Sequence, residues 1–264
     1  MDISEITVTE KTREHLATGC QTMKQLLSGL LDSKGKVAEE IHAIRKLGKS
    51  LRGGFALFRL EKTSAVEIQA IGRLLSNSRD AVSRFNTWNK LGWQEDPTVS
   101  AAIGLLLEQQ THSAARRPPP ETMAWCLARV DTALAELQGL PEQNLEGLLT
   151  KGLEKLEKRA LKRCGKLDHR SEGDFHETRK AVKALLGATE FLPEGSPPPN
   201  PQFQHLAELL GDENDLATLS LWLKQHGFTN RFAPDLCKTI DGARGKLQRR
   251  VIKEITKLSS AVPN

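Results

Sequence analysis

Two short segments of the chain place a histidine ahead of a fixed series of cations. His42-Ala43-Ile44-Arg45-Lys46-Leu47-Gly48-Lys49-Ser50-Leu51 and His176-Glu177-Thr178-Arg179-Lys180-Ala181-Val182-Lys183-Ala184-Leu185 share the pattern His-x-x-Arg-Lys-x-x-Lys-x-Leu at an offset of 134 residues. Such residue types suit anion capture better than catalysis. Arginine presents a planar fork to phosphate oxygens, lysine a point charge, and a neutral imidazole can still donate one hydrogen bond. The correspondence continues beyond the motif: Gly53 coincides with Gly187, and Leu74-Leu75 with Asp80 matches Leu209-Leu210 with Asp215 at an offset of 135. A near-constant offset over two separate motifs marks an internal repeat.

Helical spacing turns the first segment into a stripe. His42, Arg45, Lys49, Arg52 and Arg59 follow one another at steps of three, four, three and seven, which places them on one face of a helix. That face lies one residue, about 100°, beyond the apolar series Val37, Ile41, Ile44, Leu51, Phe55 and Phe58, so the cations border the core; on an unbroken helix the stripe runs roughly 26 Å. His176, Arg179 and Lys183 repeat the arrangement, with Lys46 and Lys180 beside the two lines. Like charges one turn apart each destabilise a helix by a few tenths of a kcal/mol. An extended polyanion removes that penalty, because every unit brings charge and acceptor oxygens.

The elements that carry these stripes are helices. Apolar residues recur at three- and four-residue steps through most of the chain, and no stretch alternates in the manner of a strand. The pattern predicts helices near 10–32, 36–60, 64–90, 97–112, 121–138, 144–169, 172–192, 202–226 and 232–260. Arg116-Arg117-Pro118-Pro119-Pro120, Gly139-Leu140-Pro141 and the stretch from Pro193 to Pro201 interrupt them. Long antiparallel helices joined by short loops pack as bundles. The repeat predicts two four-helix halves related by a pseudo-twofold axis, about 9–139 and 140–262, with an extra helical segment from Gly92 to Pro119 inserted in the first. Trp88, Trp93, Trp125 and Trp222 are expected in the core or between packed helices. Asp80 and Asp215 are expected to pair with an arginine or histidine of their own half and orient it.

Composition narrows the function classes. Apolar residues make up 38% of the 264 and charged residues 27%, an ordinary globular profile. No run of 18 apolar residues spans a bilayer, and Met1–Glu10 carries no apolar signal region. Cys20, Cys126, Cys164 and Cys237 are far apart in sequence, so reduced thiols in a cytoplasmic protein are expected. The net charge is only +5, but it is unevenly spread, with cations gathered in 45–62, 151–183 and 244–257. There is no phosphate-binding Gly-x-x-x-x-Gly-Lys-Ser/Thr loop, no His-Glu-x-x-His, and no metal-ligand spacing among the remaining histidines, His15, His112, His169, His205 and His226.

The paired His-x-x-Arg-Lys-x-x-Lys segments, the Leu-Leu-x-x-x-x-Asp segments after them and the basic helix from Gly152 to Lys166 together resemble the conserved-histidine α-helical domain, CHAD, over roughly residues 9 to 262. The resemblance implies an all-α fold of two four-helix bundles related by pseudo-twofold symmetry, and non-enzymatic binding of inorganic polyphosphate on a basic surface; no cofactor and no metal site is read from the sequence. It implies as binding residues His42, Arg45, Lys46, Lys49 and Arg52 in the first motif and His176, Arg179, Lys180 and Lys183 in the second. Lys155, Lys158, Arg159, Lys162 and Arg163 follow from the basic helix, and Arg244, Arg249 and Arg250 from the last. A cytoplasmic location, with association to polyphosphate granules, goes with it. Nucleic-acid backbone binding is the main alternative, although single-strand binders add aromatic stacking platforms and aromatics are 5% of this chain. A phosphate-ester-processing enzyme and a helical scaffold are further alternatives.

Overall fold

The computed structural model describes residues 7–32, 37–114, 116–168, 171–196 and 200–261. Among these there are ten α-helices and no strand. They are α1 (Val8–Asp32), α2 (Val37–Leu57), α3 (Ser64–Leu74), α4 (Ser76–Leu91), α5 (Pro97–Ala114), α6 (Pro120–Gln138), α7 (Leu145–Gly165), α8 (Glu172–Thr189), α9 (Pro201–Gln225) and α10 (Pro234–Ala261). Most sequence-predicted boundaries lie within a few residues of these. The N-terminal stretch before Thr7, His169 and residues 197–199 of the expected proline loop lie outside the described residues.

Two boundaries differ, and both bear on function. The helix predicted over 36–60 stops at Leu57. Leu60 N–H donates to Phe55 O at 2.9 Å and Arg59 N–H to Ala56 O at 3.2 Å, while Arg59 sits at φ 61°. This six-to-one and five-to-two pair is a Schellman stop, which ordinarily places glycine at the left-handed residue. Arg59 takes that place here and so leaves the stripe it was expected to extend. The helix predicted over 64–90 is broken at Leu75, whose N–H still donates to Ile71 O at 3.1 Å before α4 starts at Ser76.

Contacts divide the chain into two units. The first comprises Met1–Ser76, Arg117–Lys162 and Lys180–Pro201. Within it α1 packs on α2 and α6, and α3 packs on the same two, closing a four-helix ring around Leu16, Met23, Leu27, Ile44, Leu51, Ile68, Val130 and Leu134. Glycines let further helices approach by their backbones. A Cβ at Gly187 would lie 2.8 Å from Ser50 Cα, one at Gly53 would lie 2.6 Å from Ala188 N, and one at Gly152 would lie 2.7 Å from Leu57 Cα. The two glycines that coincide in the repeat are therefore the points where α2 meets the later part of α8.

The second unit comprises Asn77–Arg116, Arg163–Arg179 and Gln202–Asn264. Its core brings Trp88, Trp93, Ile103 and Leu107 together with Leu219, Trp222, Leu223, Leu236 and Ile240. The inserted helix α5 is thus part of a packed core. Trp125, expected inside, is 39% exposed, and the Arg129 guanidinium lies over its ring at 4.4 Å. Cys20, Cys126 and Cys164 are buried free thiols, and burial pushes Cys20 up to about 12.

A basic cleft as candidate anion site

The first motif is placed by the amphipathicity of α2. Ile41, Ile44, Gly48, Leu51 and Phe55 face inward and are buried. The next residue round the helix from three of them is a cation, so Arg45, Lys49 and Arg52 emerge half-buried at the edge of the core, with His42 and Lys46 exposed. Opposite them α3 presents Ile68, Gln69, Ile71, Gly72 and Arg73. Together with Met23 and Ser76 these residues enclose a cleft of about 190 Å³. Two glycines shape it. A Cβ at Gly48 would press on Met23 at 3.3 Å and Ile68 at 3.4 Å, whereas Gly72 faces open space.

Four cations line this cleft, and no carboxylate does among the described residues that form it. Arg45 donates from its guanidinium to Gly72 O, in the last turn of α3, where carbonyls lack helical partners and a positive charge is favoured. Burial holds the Arg52 guanidinium below its ordinary value, and the positive charges of Arg73 on α3 and Arg159 on α7 push it the same way. Desolvation and like charge both oppose a cation, and both act on half-buried Arg52, whereas Arg73 and Arg159 are exposed. Arg73 was not among the sequence-predicted residues. It stands outside both copies of the motif, on a helix with no other cation, and only the fold brings it to the cleft.

The remaining candidates belong partly to the first unit and partly to the second. On α7, Lys155 is bonded to Glu61 and Lys158 lies 3.8 Å from Glu154; Lys155, Lys158, Arg159 and Lys162 are all exposed. The second copy of the motif is divided: Lys180 and Lys183 belong to the first unit, His176 and Arg179 to the second. His176 is exposed, with Nδ1 3.1 Å from Asn214 Oδ1, whereas Arg179 is 8% exposed. Arg163 lies 3.9 Å from Glu177. Arg244 is interior, 7% exposed, and donates to Glu213 Oε1 at 2.9 and 3.2 Å; Gln248 donates to the same oxygen at 3.1 Å. Arg249 and Arg250 are exposed. Asp80 supports the charge of Arg84, one turn along α4. The acid that holds an arginine in α10 is Glu213, two residues before Asp215.

The family model of the CHAD domain matches residues 16–224. The chain belongs to the CHAD domain family. The matched span of this CHAD domain holds both copies of the histidine motif and ends before α10, so Arg244, Arg249 and Arg250 lie beyond it. Its fold is similar to the crystal structure of the CHAD domain from the plant Ricinus communis, with a TM-score of 0.66 and 18% identity over 97% of this chain and 93% of that one. It is similar also to PptA from Streptomyces chartreusis, with a TM-score of 0.66 and 14% identity over 93% and 99%. No curated protein sequence matches this CHAD domain. No helix among its described residues is long and apolar enough to cross a membrane.

Proposed function

We propose that this CHAD domain binds inorganic polyphosphate without altering it, and that the cleft between α2 and α3 is the centre of the site. The observation that carries the reading is the grouping of Arg45, Lys49, Arg52 and Arg73 around one recess whose described lining holds no carboxylate. Arg52 carries its charge half-buried beside two like charges, which is unfavourable in the free protein, and a bound anion reverses the sign of that contribution. Each charge-assisted hydrogen bond to phosphate contributes roughly 1.5–3 kcal/mol. Exposed Lys46, Lys155, Lys158, Arg159 and Lys162 add long-range attraction, and Lys180 and Lys183 of the second motif belong to the same unit. His42, exposed on α2 of the same unit, adds to the polyanion surface in this reading, and a longer chain gains affinity by engaging more of that unit's cations. The protein then works in the cytoplasm, wherever polyphosphate accumulates.

The cleft lining favours a ligand without bases. It consists of Met, Ile, Gly, Gln, Ser, Arg and Lys, with no aromatic ring to stack a nucleobase. The test is a titration of long-chain polyphosphate and single-stranded DNA at fixed physiological salt, on the wild-type chain and on one with Arg45, Lys49, Arg52 and Arg73 all changed to Ala. Polyphosphate is expected to bind tighter than DNA. Its affinity should fall steeply with salt, by a logarithmic slope of about 3 if some four contacts behave as they do on single strands. The variant should lose most of that affinity and slope while keeping its helical circular dichroism. An unchanged affinity in the variant, or tighter binding of DNA, would reject the proposal.

A further inference from the structure

We infer that the cleft takes the terminal phosphoryl group of a linear phosphate chain, held by Arg45, Lys49, Arg52 and Arg73, rather than a stretch of its interior. The inference rests on the polyphosphate reading above and specifies which part of the ligand enters. A chain lying along a track needs cations that continue in a line. On α2 they do not. Between Arg45 and Arg52 the helix rises about 10.5 Å. Five residues after Arg52 it stops, and Arg59 turns off in the left-handed conformation. The cations converge instead, with Arg73 reaching the same recess from α3 and Arg159 of α7 adding its charge at Arg52. The recess itself is small. Its 190 Å³ is below the range of about 300–1,000 Å³ typical of sites that swallow a whole small molecule.

An end group fits such a place better than an interior unit. A terminal phosphate has a second ionisation near pH 6, so at neutral pH it carries about −1.5 to −2 with three free acceptor oxygens. An interior unit carries less charge, offers fewer oxygens and must leave the recess on both sides. The floor of Met23, Ile44, Ile68 and Ile71 supplies no competing hydrogen bonds, and its low polarity strengthens the field of the rim. The forked guanidiniums of Arg45, Arg52 and Arg73 then meet three oxygens from two sides.

Ends and charge are separated by comparing linear tripolyphosphate with cyclic hexametaphosphate, which has more charge and no end. Both are titrated by calorimetry against the full chain at physiological salt, alongside long-chain linear polyphosphate. Linear tripolyphosphate is expected to bind at least about tenfold tighter than the ring, a difference of about 1.4 kcal/mol, and Arg73→Gln should bring the ratio close to one with circular dichroism unchanged. If the ring binds as tightly as the linear trimer, or the ratio survives Arg73→Gln, end recognition is wrong while polyphosphate binding stands. If long-chain polyphosphate also fails to bind the wild-type protein, the underlying reading fails and this one with it.

Discussion

Arg52 of α2 and Arg244 of α10 both sit on cation-rich helices, and both are withdrawn from water, but their surroundings are opposite. Arg244 is met by Glu213 at 2.9 Å, with Gln248 on the same carboxylate oxygen. Its charge is answered inside the fold. Arg52 has the positive charges of Arg73 and Arg159 as its electrostatic neighbours and lines a cleft whose described walls hold no acid. A paired buried arginine organises the protein around itself; a half-buried one among other cations presents its charge to an arriving anion. Basic sequence alone does not separate the two roles, because Arg244 and Arg52 look alike on a helical wheel.

Changes at the two sites should therefore act on different observables. The largest effect is expected from Glu213→Ala, which removes the buried carboxylate that Arg244 and Gln248 donate to and should lower unfolding free energy by about 3–5 kcal/mol, read by urea denaturation with polyphosphate affinity nearly unaltered. Arg52→Met should do the reverse. It removes repulsion, so stability should stay within about 1 kcal/mol of wild type, while affinity falls by roughly 1.5–3 kcal/mol, or ten- to a hundredfold. If Arg52→Met unfolds the protein and Glu213→Ala does not, the contrast collapses.

The cleft region is held by packing where α10 is held by an ion pair, and Gly187→Ala sharpens that point. Its new methyl group meets Ser50 Cα at 2.8 Å, backbone that must shift, and a loss of about 1–3 kcal/mol is expected on thermal or chemical unfolding. The smallest effect concerns Lys155, whose bond to Glu61 is half in solvent. Burial raises the Glu61 carboxyl, but its bond to Lys155 and the nearby cations outweigh this and leave it below the ordinary 4.5. A depressed carboxylate contributes stability that is present above its unfolded value and lost as pH falls through the folded one. The contribution is at most about 1 kcal/mol for so exposed a pair. The acid limb of a pH–stability curve should accordingly flatten slightly in Glu61→Gln.

Much of this was legible in the chain, and the misses have physical reasons. Three- and four-residue apolar spacing locates the helices, and the repeated His-x-x-Arg-Lys-x-x-Lys singles out Arg45, Lys49 and Arg52, which the fold brings to one cleft. The end of α2 was misjudged because its left-handed stop is an arginine where glycine is the usual signal, and the spacing of Arg59 fitted the stripe. The break at Leu75 was invisible for a similar reason: Ile71-Gly72-Arg73-Leu74-Leu75 carries no proline and reads as continuous helix. Trp125 was placed inside on residue type alone, whereas α6 turns it outward beneath Arg129. Arg73 belongs to no local pattern, since what brings it to the cleft is the packing of α3 against α2, a relation between segments some twenty positions apart. Arg244 erred in the other direction, because a basic run does not disclose the acid waiting on another helix.

The close approach at Gly53 and Gly187 has an evolutionary corollary. A Cβ at either position runs into the backbone of the facing helix, Gly53 against Ala188 and Gly187 against Ser50, so α2 and α8 would have to separate before either glycine could carry a side chain. Both positions should therefore stay glycine in relatives even where the residues around them have been replaced.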